Sequence, residues 1–166
     1  MTHLAEHTLP GLPLRRRPNR IRTAPRDRRR VHSRDERWPV IAAELSRLRA
    51  AKRCSVRIID ADCGTGTLLL CAVRYARALG FTAIEARGID TAPALIARAC
   101  VAASKVHDPA IGLTFETADI ACALDEEIEF PADIVLWHGS GREEASAARA
   151  VARAGRALIA DKGVAA

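Results

Sequence analysis

The chain has no apolar run approaching the ~18 residues that a bilayer-crossing helix needs. Its N-terminus is basic but lacks the apolar core segment of a secretory leader. A cytoplasmic protein with no membrane partner is therefore expected. Cysteine is sparse: five residues, at 54, 63, 71, 100 and 122, with no C-x-x-C pair and no Cys/His cluster at zinc-ligand spacing. No metal is expected, and the thiols read as reduced, mostly buried small hydrophobes. Lysine is nearly missing, with three residues against 23 arginines, a bias that fits a GC-rich coding sequence. There is no G-K-[S/T] phosphate loop, no G-x-G-x-x-G fingerprint and no internal repeat.

What is present suits one soluble globular domain. The 166 residues are 49% hydrophobic and 28% charged, enough to bury a sizeable core. The net charge of +6 is unevenly placed. Residues 1–34 hold ten arginines against Glu6 and Asp27, a balance of +8 that leaves −2 for the other 132 residues. Pro10, Pro13, Pro18 and Pro25 interrupt this segment, and it has too little apolar surface to offset its chain entropy. It reads as a disordered arm. An arginine-rich arm suits nucleic acid phosphates, but no aromatic residue precedes Trp38 to stack on bases, and a solubilising tail is the favoured reading.

From residue 35 the pattern becomes regular. Ser33 and Glu36 have capping-box spacing, and Trp38, Ile41, Leu45 and Leu48 mark one face of a helix that begins around Asp35–Trp38, with Pro39 in its first turn. Strands are expected at 55–60, 82–90, 111–119, 132–138 and 156–161. Helices are expected at 67–80, closed by Gly80, and at 91–106, capped by Thr91. Residues 120–130 form a short helical or irregular stretch, and a further helix opens at a Ser140/Glu143 capping box and ends at Gly155. Gly88 marks a bulge or a close approach. Strands alternating with helices give an α/β, three-layer, Rossmann-like parallel sheet of about five strands, whose ligands bind at the carboxyl ends.

The strand ends carry the chemistry. Asp60 closes the first strand, and Gly64 and Gly66 follow in a turn that aims helix amides at a ligand. Asp90 closes the second strand, where a carboxylate can accept both hydroxyls of a ribose. Asp119 closes the third, with the apolar Ile120 beside it, and His138 follows the fourth. Asp60 and Asp62 in the turn would repel a pyrophosphate but suit a cationic ligand, and S-adenosylmethionine carries an ammonium and a sulfonium.

The stretches "RIIDADCGTG", "ARGID" and "TADI" resemble the first three signature regions of the class I S-adenosylmethionine-dependent methyltransferases, over roughly residues 36–161. The resemblance implies a sheet order 3-2-1-4-5 and a domain over 35–166. It implies that Asp60, Cys63, Gly64 and Gly66 lie under the methionine part, that Asp90 holds the ribose hydroxyls, and that Asp119 with Ile120 frames the adenine. His138 would face the transferred methyl group, either as general base or as an unoccupied polar strand end. Two features depart from the family. Asp62 stands where a glycine is usual; aspartate tolerates unusual backbone angles, so retained binding is expected, with added negative charge near the ammonium group. The sequence also lacks the helix and hairpin that usually follow the fifth strand, so a homodimer or another partner covering that edge is a fair expectation.

Methyl transfer to an unidentified, small-molecule acceptor is the leading expectation. The alternative is a non-catalytic, cofactor-binding regulatory module that works with a partner subunit. The fourth strand ends in "LWHGS" instead of an Asn-Pro-Pro-Tyr-like motif, which speaks against an exocyclic-amine base as acceptor. Deleting residues 1–34 should leave nucleic acid affinity unchanged at two salt concentrations; a loss that grows at low salt would assign the arm to phosphate binding.

Overall fold

The computed structural model describes residues 33–139 and 145–161. Five strands form one parallel sheet: β1 (Ser55–Ala61), β2 (Ala83–Asp90), β3 (Ile111–Thr117), β4 (Ile134–Trp137) and β5 (Leu158–Ala160), in the order β3-β2-β1-β4-β5. The helices are α1 (Trp38–Ala50), α2 (Thr67–Leu79), α3 (Pro93–Ala103), α4 (Ile120–Asp125) and α5 (Ala145–Ala154), with a 3-10 turn at Glu126–Ile128. The expected architecture and strand order are those observed. The arm up to residue 32 and the Ser140/Glu143 capping box lie outside the described residues.

Alternate strand residues feed two cores, because successive side chains point to opposite faces. On one face Val56, Ile58, Ile84, Ile134 and Leu136 pack against Ile41, Leu45 and Leu48 of α1 and Leu69, Val73 and Ala76 of α2. On the other, Ile59, Ala61, Ile89, Val135 and Trp137 meet α4 and α5 through Ile120, Leu124, Ala147 and Val151. Burial on both faces explains the near-continuous apolar run of β4. Arg57 and Arg87 break the apolar pattern on the second face. Between them lies the buried carboxylate of Glu127, 2.5 Å from Arg57 Nη1 and 2.6 Å from Arg87 Nη1. The two guanidinium groups compensate that buried charge, and their Nε atoms reach Glu85 and Glu116.

Several element ends differ from the sequence expectation. The Ser33/Glu36 capping box does not form: Ser33 Oγ accepts the Asp35 N–H (3.2 Å), and Asp35 Oδ1 accepts the Arg37 N–H (2.9 Å), while Glu36 is exposed. Thr91 does not cap α3. That helix opens at Pro93, with Ala92 in the capping position and no side-chain cap, and the Asp90 carboxylate takes the Ala92 N–H (2.8 Å). It also ends at Ala103, three residues early. β3 stops at Thr117, two residues before Asp119, and the fourth and fifth strands are shorter than expected. Gly80 does close α2 in the left-handed conformation, at φ 98°.

Gly88 is a close approach and not a bulge. It lies opposite Phe115 in an unbroken β2–β3 register, and a Cβ there would stand 2.4 Å from the Phe115 ring and 3.0 Å from Cys63 Sγ. Gly88→Ala should therefore cost about 1–3 kcal/mol, read as a lowered urea midpoint. Adding Phe115→Leu should restore part of the loss. An unchanged midpoint in the single variant would contradict this packing.

Candidate functional site

After β1 the chain reverses through a turn in which Asp62, Gly64 and Gly66 all take left-handed backbone angles, at φ 66°, 55° and 72°. Three such residues in five let the chain pass over the sheet edge and enter α2 with its first amides exposed to the turn. Asp62 adopts the angle that a glycine would take, at a cost that aspartate tolerates better than most residues. The space beside Gly64 is open, with nothing within 4 Å of where a Cβ would sit. Gly66 is constrained differently: its Cβ would stand 2.6 Å from the Phe115 ring, so packing as well as conformation requires glycine there.

The turn is tied to β2. The Cys63 N–H donates to the Ile89 carbonyl (2.9 Å) and the Gly64 N–H to Asp90 Oδ2 (2.8 Å). Asp90, 3% exposed, thus clamps both the β1–α2 and β2–α3 turns, with Oδ1 held by Ala92. A carboxylate has about four acceptor positions, so two remain for hydroxyl donors. Cys63 is buried, and its thiol is pushed up by that burial and by the Asp60 and Asp90 charges, which makes it inert as a nucleophile.

Asp119 is exposed and lies at the start of α4. Its Oδ1 accepts the Cys122 N–H (2.9 Å), and this bond holds its carboxyl below the usual range. Ile120 next to it is buried in the second core at 6% exposure. His138 follows β4, one step beyond the Ala61–Trp137 pair, and so stands across from Asp62 at the same sheet edge. Its ring is 58% exposed, and Nδ1 lies 2.6 Å from Asp161 Oδ2.

Arg37 completes the site. The residue before α1 is 7% exposed and buries its guanidinium at the carboxyl ends of the strands. Nε and Nη2 grip Asp35 (2.9 Å each), and Nε also lies 3.0 Å from Asp161 Oδ1. Nη1 is buried and has no hydrogen-bond partner among the described residues. Burial opposes the arginine's charge, but Asp35, Asp60 and Asp161 more than offset that and raise its pKa. Asp35 is held below the ordinary carboxylate range by the hydrogen bond from Arg37. Asp60 is buried at 2% exposure, and desolvation, against the pull of Arg37, pushes its carboxyl up to about 7.

The fold aligns with magnesium protoporphyrin IX methyltransferase from Synechocystis PCC 6803, solved with bound S-adenosylmethionine, at a TM-score of 0.50. The match covers 72% of this chain and 56% of that one, at 17% identity. The fold is that of the class I S-adenosylmethionine-dependent methyltransferases. Looser likenesses include a Listeria monocytogenes protein provisionally assigned to that class (TM-score 0.46, 24% identity, 60% of this chain and 28% of that one). Another is YjhP from E. coli (TM-score 0.46, 21% identity, 76% and 48%). This chain spans 18% to 62% of the length of the first solved structures it matches. No protein-family model matches the sequence, and no curated protein matches it.

In this methyltransferase fold the turn, Asp90 and His138 gather at one edge of the sheet, with Asp119 at the start of α4 beyond β3. Clefts of about 430 and 630 Å³ open at the opposite, amino-terminal edge and include none of these residues. Among the described residues no group of three or more His, Cys, Asp or Glu is placed to hold a metal, and no helix is long and apolar enough to cross a membrane. Sequence reasoning missed Arg37, Asp35 and Asp161. Asp161 follows the fifth strand, so the strand-end rule that selected Asp60, Asp90 and His138 points to it as well. Arg37 left no such signal, since only the docking of α1 across the sheet brings it there.

A carboxyl raised to about 7 holds its proton in the folded chain where the unfolded chain has lost it. Its contribution to stability is complete below about pH 4 and disappears as pH rises through about 7. Asp60→Asn should therefore be more stable than the native chain at about pH 8, by on the order of 2–4 kcal/mol, and equal to it near pH 4. Urea unfolding at both pH values reads this; a less stable variant at the higher pH would refute the assignment.

Proposed function

We propose that this chain binds S-adenosylmethionine at the carboxyl ends of β1 and β2 and transfers its methyl group to a small-molecule acceptor. The observation that carries the reading is the pairing, at one turn, of a buried carboxyl titrating near 7 with a buried guanidinium that keeps one donor unpaired. An α-amino acid end presents the complementary pair. Its ammonium favours ionised Asp60, and its carboxylate satisfies Arg37 Nη1, a donor costly to leave unmade. The remaining acceptor positions of Asp90 suit the ribose hydroxyls, and the open side of Gly64 leaves room for the ligand backbone. Asp119 offers a carboxylate to an exocyclic amine, while Ile120, largely covered, offers only an edge to the ring.

Held by Asp60, Asp90 and Arg37, the cofactor would supply an activated methyl group on its sulfonium for a lone pair of the acceptor, whose proton must then be removed. The chain's own part is orientation and proton removal. Asp60, Asp90 and Arg37 fix the donor, and an in-line approach of the acceptor supplies much of the rate. His138, exposed beside the turn, takes the proton.

Calorimetric titration should show S-adenosylmethionine and S-adenosylhomocysteine binding, weakened at least about tenfold by Asp90→Ala. Affinity should rise from about pH 6 to about pH 8 as Asp60 loses its proton, and the heat should vary with the ionisation enthalpy of the buffer. No heat with either ligand would sink the cofactor assignment. Binding with no methyl transfer to any acceptor pool would leave the regulatory-module reading.

A further inference from the structure

Beside the turn, four side chains form a continuous chain of contacts. Asp35 Oδ1 and Oδ2 accept from Arg37 Nε and Nη2. Arg37 Nε reaches Asp161 Oδ1 at 3.0 Å, and Asp161 Oδ2 lies 2.6 Å from His138 Nδ1. From Arg37 outward exposure increases, from 7% through Asp161 at 19% to His138 at 58%, while Asp35 on the other side of Arg37 is 26% exposed. The inner end is thus fixed in the protein, and the outer end meets solvent. A carboxylate only accepts, so Nδ1 must be the protonated nitrogen of a neutral His138 ring, and Nε2 is left bare on the far side.

We propose that Asp161 is a positioning residue that holds His138 in the Nδ1–H tautomer, with Arg37 and Asp35 aiming Asp161. This rests on reading His138 as the group that takes the acceptor's proton, because a bare Nε2 is what that task requires. An unperturbed neutral histidine side chain favours the other tautomer, so the ring as an unsupported strand-end residue would carry its proton on Nε2 and present no lone pair at that outer nitrogen. Arg37 also borders Asp60, so one guanidinium serves both the cofactor turn and the base. A misdocked α1 would disturb donor binding and proton removal together.

The test is a long-range ¹H–¹⁵N correlation spectrum of the full ¹⁵N-histidine-labelled chain at about pH 9, above the ordinary imidazole range. His138 is assigned by its loss in His138→Gln. The native chain should show His138 protonated at Nδ1. In Asp161→Asn, the Arg37 charge draws the amide oxygen to its side and leaves the amide NH2 facing Nδ1, so the proton should move to Nε2. Asp161→Ala should give the Nε2–H preference of an unperturbed histidine side chain. An Nε2–H pattern in the native chain, or an Nδ1–H pattern that survives Asp161→Asn, would overturn the proposal. Calorimetry with S-adenosylhomocysteine on the same samples separates the two readings. An Nδ1–H His138 in a chain that binds no S-adenosylhomocysteine supports the Asp161 contact and overturns only the functional reading.

Discussion

One buried guanidinium among three carboxylates governs this site. Arg37 is held by Asp35, touches Asp161 and borders Asp60, so a single positive charge must serve three acids. It serves them unequally. Asp35, in direct contact, stays well ionised, while Asp60, buried and reached only through space, titrates near 7. The deficit of positive charge beside Asp60 is what makes the turn receptive to a cation. The spare donor on Arg37 makes the same place receptive to an anion.

The sheet supplies the rigid frame for that balance. β1 lies in the middle, bonded to β2 on one side and β4 on the other, so its carboxyl end is the best-anchored point of the fold. Asp90 then locks the turn after β1 to the turn after β2 with two amide hydrogen bonds. The left-handed angles of Asp62, Gly64 and Gly66 are set by this tether and by the packing of Phe115 under Gly66 and Gly88. An aspartate at position 62 is compatible with the turn, because the backbone angle there is one that aspartate can adopt.

The sequence made the sheet and most strand ends legible, because buried parallel strands read as apolar runs and helices as three-to-four periodicities. Asp60, the Gly64–Gly66 turn, Asp90 and His138 followed from the rule that ligands meet strands at their carboxyl ends. What failed was local capping. Thr91 reads as a cap, but α3 opens one residue later, with Ala92 in the capping position before Pro93 and no side-chain cap. Asp119 looked like a strand end, but β3 stops earlier and Asp119 starts a helix. The Glu127 cluster was unreadable, since its arginines lie 70 and 40 residues away in sequence. Arg37 was hidden for the same reason: its partners Asp60 and Asp161 come from two strands that only the folded sheet brings beneath it.

The central claim is that Asp60 and Arg37 together recognise an α-amino acid end beside a ribose held at Asp90. A crystal structure of the chain with S-adenosylhomocysteine tests it most directly. The account predicts the ligand ammonium against Asp60, its carboxylate within hydrogen-bond distance of Arg37 Nη1 and its ribose hydroxyls on Asp90. A ligand bound at the amino-terminal clefts, or one whose amino acid end points away from Arg37, would contradict it.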